Sequence, residues 1–384
     1  MSLTYRALTW DHPRGYNALA AAAARLDPSR DGLSIQWDKQ PLEGFESHPI
    51  DDLCAHYDIV VLDHPHIGEA VAKGCLQPLE DIFGPEVVRS MAAASIGPSL
   101  ASYRYQGRHW ALPLDAATQV MATRPDLLNA PAPATWDAVV ELPETVPLCL
   151  SMAGPHAILT FFSICAALGE PVASVDPDRL VSRQTGLAAL AILRALEARS
   201  LPAARTLNPI GILNLMASAD SLAICPLVFG YVTYAAPADS WHMAIRFENA
   251  PRSALGGRPG TTLGGTGIGL STRCRVAPEL IAHLSWLMSS AAQVDFIPTH
   301  DGQPSRRDAW QSSAVNRRWG DFYRNTFDTL EQAWVRPRHN GYIPFQGAAS
   351  AILRSALVDL TPDAALLDQL EAIYAKTKAP GDEI

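Results

Sequence analysis

TYRALTWDHPRGYNALAAAAARLD, residues 4–27, decides the fold. A short strand, TYRALTW (4–10), runs into a tight polar cluster, and alanine, the best helix former, fills the segment after it. The pattern then repeats. LSIQWDKQ (33–40) alternates apolar and polar residues as a half-buried strand does, and PIDDLCAHY (49–57) has helical spacing with Pro49 at its start. DIVVLDHPH (58–66) is an apolar run that breaks off into polar residues, the pattern of a buried parallel strand. Strand, helix, strand, helix, strand predicts a parallel sheet with right-handed crossovers.

In open α/β sheets, ligands sit beyond the carboxyl ends of the strands, near the point where strand order reverses. The first strand ends in Trp10-Asp11-His12-Pro13-Arg14 and the third in Asp63-His64-Pro65-His66. A strand order of 2-1-3 sets these two clusters side by side on one rim. The helix after Gly15 adds its positive N-terminal dipole and its free N–H groups to that rim.

The remaining chain sets bounds. A length of 384 residues exceeds what one core usually serves, so two domains are expected. A net charge of −9 argues against a nucleic-acid partner, which needs a basic surface. The longest apolar run, HAILTFFSICAALG (156–169), suits a buried helix better than a membrane span. Cys54, Cys75, Cys149, Cys165, Cys225 and Cys274 are scattered through apolar segments without zinc spacing and read as small buried hydrophobes. The first residues show no basic region followed by an apolar stretch and a cleavage site. That leaves open a removed leader or a cytoplasmic protein.

Further along, Gln106-Gly107 reads as a hairpin turn and Leu112-Pro113-Leu114-Asp115 as a crossing segment. ATWDAVVEL is a helix, VPLCLSM (146–152) a buried strand, and long helices are expected near 156–168 and 181–199. SLAICPLVFGYVTYA (221–235) is an apolar strand that breaks at Gly230. Without a long linker, the chain is expected to pass between two lobes more than once.

GTTLGGTGIGLSTRCRVAPELIAHLSWLMSSAAQ (260–293) resembles the extracellular solute-binding proteins of ABC importers, the family with maltodextrin- and other sugar-binding members. The likeness lies in Gly264-Gly265, the strand GIGLS, the helix PELIAHLSWLMSS and Gln293. GQPSRRDAW (302–310) resembles that family's return segment, and GRHWALPLDAATQVM (107–121) its first interlobe crossing. The resemblance implies an α/β, two-lobed periplasmic-binding-protein fold (type II-like), with interlobe hinge strands and a central ligand cleft. Lobe one would hold residues 1–112 and 263–305, lobe two residues 113–262 and 306–384. It also implies closure on a small polar ligand, an ABC-transporter membrane permease as partner, and a periplasmic or extracellular location. A monomer is expected, with no cofactor and no chemical step.

Within such a fold each polar, aromatic or glycine cluster has a structural and a functional reading. The glycines of GGRPGTTLGGTGIG match no phosphate-binding loop and read as close backbone packing, and Ser271 lies in no GxSxG elbow. His12, Asp63, His64 and His66 could hold a metal, but hydrogen bonding to a ligand is the preferred reading. A helix cap or an ion pair with Arg14 is the structural alternative for Asp11 and, with less force at the end of a buried strand, for Asp63. Trp37, Trp136 and Trp286 have core-like spacing, whereas Trp10, Trp241 and Trp334 are ligand candidates. Phe229-Gly230-Tyr231 puts aromatics where a strand stops. WVRPRHNGYIPFQGAAS (334–350) is a dense polar loop with Arg336, Arg338, His339, Asn340, Tyr342 and Gln346. Its arginines, with Arg14 across the cleft, would favour an acid-bearing ligand. A sugar, a sugar acid or a small organic acid fits. The expected ligand residues are Trp10, Asp11, His12, Arg14, Asp63, His64 and His66 from lobe one, with Asp115, Tyr231, Arg338 and Asn340 from lobe two. The rival is a metal-dependent hydrolase or lyase built on His12, Asp63, His64 and His66; a cytoplasmic sensor of the same fold is a third reading.

Overall fold

β1 (Leu3–Trp10), β2 (Leu33–Gln40) and β3 (Ile59–Leu62) form the predicted parallel unit, in the order β2-β1-β3. They belong to a computed structural model that describes residues 2–128, 130–236 and 243–378. Between β1 and β2 runs the helix Pro13–Ala24, which turns Ala18, Leu19 and Ala22 into the core. Its start is well specified: Pro13 needs no N–H donor in the first turn, and His12 caps it.

After β3 the chain forms short helices and a hairpin of β4 (Arg104–Tyr105) and β5 (Arg108–His109). Gln106 and Gly107 make its turn with φ of +49° and +76°, as a two-residue hairpin requires. β6 (Leu112–Thr123) is the long strand of the fold, buried along its whole length. Its first half, Leu112–Thr118, pairs with β9 (Leu263–Leu270), and its second half pairs with β7 (Ile224–Phe229) and β8 (Arg246–Glu248). β9 in turn lies antiparallel to β3. The sheet therefore reads β2-β1-β3-β9-β6-β7, with β8 beside β6.

A third segment follows the same crossing. Gln303 exchanges hydrogen bonds with the Ala116 backbone and accepts from the Val232 amide, while the Ser305 hydroxyl donates to the Pro113 carbonyl. Gln293 Oε1 takes the Ser305 amide at 2.7 Å. The glutamine that ends the family-like stretch thus anchors the return of the chain.

One large apolar cluster joins the parallel unit through β6 and β9 to Leu213, Val228, Phe247 and Phe322. A second surrounds the His156–Ala167 helix, which is buried on every side and correspondingly apolar all round. Helices Arg183–Glu197, Tyr342–Val358 and Asp363–Thr377 enclose it. All six cysteines are free and buried. Among the described residues, no helix is long and apolar enough to cross a membrane.

One expectation changes. Residues 146–152 are largely buried but form no strand, only single bridges from Leu148 to Ser200 and Ile224. Pro147 has no N–H to give to a ladder, though its carbonyl accepts from Ala223 and Ile224. The apolar strand of 221–235 breaks at Gly230 as read: β7 ends at Phe229, and a 3₁₀ turn covers Val232–Ala235.

β9 can approach both neighbours only because it lacks side chains at key points. At Gly265, φ is +102°, and a Cβ would lie 2.4 Å from the Asp115 carbonyl, where β6 bulges between Pro113 and Asp115. Gly265→Ala should destabilise the fold by roughly 1–3 kcal/mol, read as a lower urea midpoint. An unchanged midpoint would mean that the bulge relaxes freely.

Candidate functional site

Because β1 and β3 run parallel as neighbours, their ends bring Trp10–Arg14 and Asp63–His66 to one rim. His12 Nδ1 accepts the Arg14 amide at 3.1 Å, and its ring lies flat on Trp10, with centroids 5.1 Å apart. The Trp10 ring is packed over Gly15, where a Cβ would come within 2.1 Å of the indole nitrogen. Trp10 is 2% exposed, and its Nε1 has no hydrogen-bond partner among the described residues.

Arg14 reaches across the crossing strands. Its Nε donates to Asp115 Oδ2 at 2.8 Å, Nη2 donates to Asp115 Oδ1, and Nη1 donates to the Gly230 carbonyl at 3.2 Å. The guanidinium also stacks on Tyr231, 4.8 Å from the ring centre. A second ion pair joins Asp63 to Arg336, whose other arm donates to Gln346 at 3.1 Å. Burial would raise the Asp63 pKa, but the Arg336 charge and the His64 side chain outweigh it and hold the carboxyl far below the usual range.

Between these pairs lies a cavity of about 50 Å³. Trp10, Phe45, Phe229 and Tyr231 supply its aromatic wall; Arg14, Glu46, Asp63 and Thr266 supply polar groups. Thr266 is 2% exposed, and its hydroxyl, like the Trp10 indole nitrogen, has no hydrogen-bond partner among the described residues. Buried polar groups left in this way are uncommon in folded proteins and call for an occupant. Beside the cavity, His156 begins its buried helix with Nε2 3.4 Å from Glu46 Oε1, out of line for a hydrogen bond. A larger cavity, about 530 Å³, opens by the far end of β6 between Pro125, Pro131, Arg246 and Arg252. Its charges face one another, Arg246 on Glu248, and it lacks buried polar groups without partners, so the smaller cavity is the better site.

Residues 53–207 match the family model of bacterial extracellular solute-binding proteins. Among solved structures, a ribitol-bound ABC transporter solute-binding protein from Agrobacterium radiobacter K84 is 18% identical, with a TM-score of 0.80 over 97% of this chain and 98% of that one. Maltose-bound MalE3 of T. maritima is 15% identical, with a TM-score of 0.80 over 97% and 99%. A D-mannitol-bound solute-binding protein from Agrobacterium vitis S4 is 16% identical, with a TM-score of 0.72 over 98% of each chain. No curated protein matches. The fold is that of the solute-binding proteins.

The smaller cavity lies where β6 and β9 cross. Several expected ligand residues do not line it. Asp11 is exposed and pairs with Lys39 at 2.7 Å rather than with Arg14. His12 spends its Nδ1 on the helix cap. His64 and His66 are buried behind Asp63. Arg338 donates to the carbonyls of Ala101 and Ser102, and Asn340 is exposed. Trp334 packs edge-on against Phe162, and Trp241 lies outside the described residues. Among the described residues, no three His, Cys, Asp or Glu side chains are placed to hold a metal. Trp10, Arg14, Asp63 and Tyr231 line this cavity, and Asp115 pairs with Arg14. Sequence reasoning missed Phe45, Glu46 and Thr266. LEGFES carries no motif, and Thr266 sits among glycines read only for their backbone.

The acid-binding argument also fails. Arg14 and Arg336, both buried, are each neutralised by a carboxylate. Arg14→Ala should therefore cost stability, about 3–5 kcal/mol, by stranding Asp115. Adding Asp115→Asn should recover part of it in urea unfolding. A stable single variant would show that Asp115 finds water instead.

Burial, then the Arg336 charge, pushes the His64 pKa down to about 4; burial and Arg14 bring His12 to about 4 as well. Unfolded, both take up a proton near pH 6.5. Their contribution is complete above that pH and declines as pH falls towards 4, because the unfolded chain then binds more protons. Urea midpoints should drop across this window, and His64→Gln should flatten the drop. A midpoint constant from pH 7.5 to 5 would contradict the assignment.

Proposed function

We propose that the protein binds a small hydroxyl-rich ligand, a sugar or polyol, in the cleft between β6, β9 and the ends of β1 and β3, and closes around it. The observation that carries this reading is the pairing of chemistries at the cavity wall. Aromatic faces from Trp10, Phe229 and Tyr231 stand beside the buried, partnerless Trp10 indole N–H and Thr266 hydroxyl. Sugars and polyols present C–H faces to aromatic rings and hydroxyls to isolated donors and acceptors. The solved relatives bound to ribitol, maltose and D-mannitol support the same class.

Closure would bring residues 1–112 and 263–305 against residues 113–262 and 306–384, hinging on β6, β9 and the return segment at Gln303. A ligand that bridges both bodies favours the closed state by its differential affinity alone. That closed shape would be presented by a monomer to the permease of an ABC importer, outside the cytoplasmic membrane. In this reading Trp10 and Tyr231 stack on the ligand, Asp63 and Thr266 hydrogen-bond to it, and Arg14 with Asp115 holds Tyr231 in place. No chemical step is required.

Thermal shift against neutral sugars and polyols is the first measurement. A ligand at about a thousand times its dissociation constant should stabilise the protein by roughly 4 kcal/mol. Thr266→Val keeps the side-chain shape and deletes a hydroxyl with no protein partner. It should leave unfolding stability equal or higher and weaken binding by about tenfold, one hydrogen bond. Full affinity in Thr266→Val would take β9 out of the ligand site.

A further inference from the structure

Three charged side chains line the cavity: Arg14, Asp63 and Glu46. The first two are spent. Arg14 has all three of its nitrogens engaged, two by Asp115 and one by the Gly230 carbonyl, and Asp63 carries Arg336. Each pair is close to neutral as seen from the cavity. Glu46 differs. Among the described residues it has no arginine or lysine partner, and His156 Nε2 lies 3.4 Å from it without a hydrogen bond. Glu46 rises from the short helix Leu42–Ser47 beside Phe45, and the Phe229 ring meets His156 edge-on at 5.8 Å. The carboxylate thus lies on the wall of a cavity also lined by aromatic rings, 21% exposed, where charge acts more strongly than in bulk water.

We propose that Glu46 sets the charge selectivity of the cleft, admitting neutral and protonated-amine sugars or polyols and turning away carboxylate-bearing ones. The inference rests on the sugar-binding reading above and narrows it. An ionised carboxylate is acceptor-only, with two oxygens able to take hydroxyl or ammonium donors. A ligand acid placed here would meet a like charge, and no lining cation has its arms free to compensate. An ammonium would meet an acceptor of opposite sign. Glu46 thus does for this cleft the opposite of what its two arginines suggest by composition.

The test uses matched sets on one scaffold: hexose, 2-amino-2-deoxyhexose and hexuronate in gluco, galacto and manno configurations. A linear set of glucitol, 1-amino-1-deoxyglucitol and gluconate completes the panel. Affinities are measured by calorimetry at pH 7.5 for the parent, Glu46→Gln and Glu43→Gln. Glu43 is the control, an exposed carboxylate on the same helix. In whichever set binds, the amine should bind at least as well as the neutral member and the acid more than tenfold worse. Glu46→Gln should bring the acid to within about threefold of the neutral compound, while Glu43→Gln leaves the order as it was. An acid bound as tightly as its neutral partner by the parent, or discrimination unchanged in Glu46→Gln, overturns the assignment while leaving the sugar reading in place. Silence from every set, in both the parent and Glu46→Gln, removes the sugar reading and this assignment together.

Discussion

Everything in this molecule depends on β9 fitting between β3 and β6. The strand reads LGGTGIGL, and its glycines stand where neighbouring groups leave no room for a side chain: the Phe229 ring at Gly264, the Asp115 carbonyl at Gly265, the Tyr103 ring at Gly267 and the Leu62 and Leu76 methyls at Gly269. A strand of large residues would hold the flanking sheets apart. With glycines, β9 pairs with β3 by one end and β6 by the other, and the backbone itself becomes the floor of the cleft. Side chains from the neighbours then project over that floor. The loss of local β propensity at glycine is offset by closeness, since rings such as Tyr103 and Phe229 pack directly on the chain.

That constraint explains what could be read from the sequence. The parallel unit was legible because β1, β2 and β3 each carry a complete local pattern, and β2 spans Leu33–Gln40 as the alternation indicates. The helices His156–Ala167 and Arg183–Glu197 were legible for the same reason. Residues 146–152 were not, because an apolar run shows burial without showing whether partners are present to form a ladder. The rim was placed correctly by topology, yet its side chains were sorted wrongly. Asp11 and Asn340 look like ligand residues in a string of letters, but nothing local says that their side chains face solvent. Glu46 and Thr266 look ordinary for the complementary reason: each becomes part of the cleft through segments far away in sequence.

The arginines carry a related lesson. A count of charges near the rim suggests a cationic cleft, but charge in a folded protein is a property of pairs. Arg14 meets Asp115 and Arg336 meets Asp63, each across more than one hundred residues of chain. Burying a charge without its partner is so costly that a buried arginine is better evidence for a nearby carboxylate than for an acidic ligand. Both pairs also join segments that must come together for the cleft to exist: Arg14 ties the first helix to β6 and to the end of β7, and Arg336 ties the 334–346 loop to the end of β3.

The central place of β9 has a consequence for how the chain acquires its shape. β3 and β6 are complete early in the sequence, yet the strand that separates them is formed by residues 263–270. During synthesis both would present open backbone edges, with Val60, Val61 and Leu62 on one and Ala116 and Ala117 on the other, until that segment emerged. Exposed apolar edges are what drives strands of different molecules to pair. The middle of the sheet is thus the last part to be laid down, and a chain interrupted before residue 270 would have its two halves without the seam that joins them.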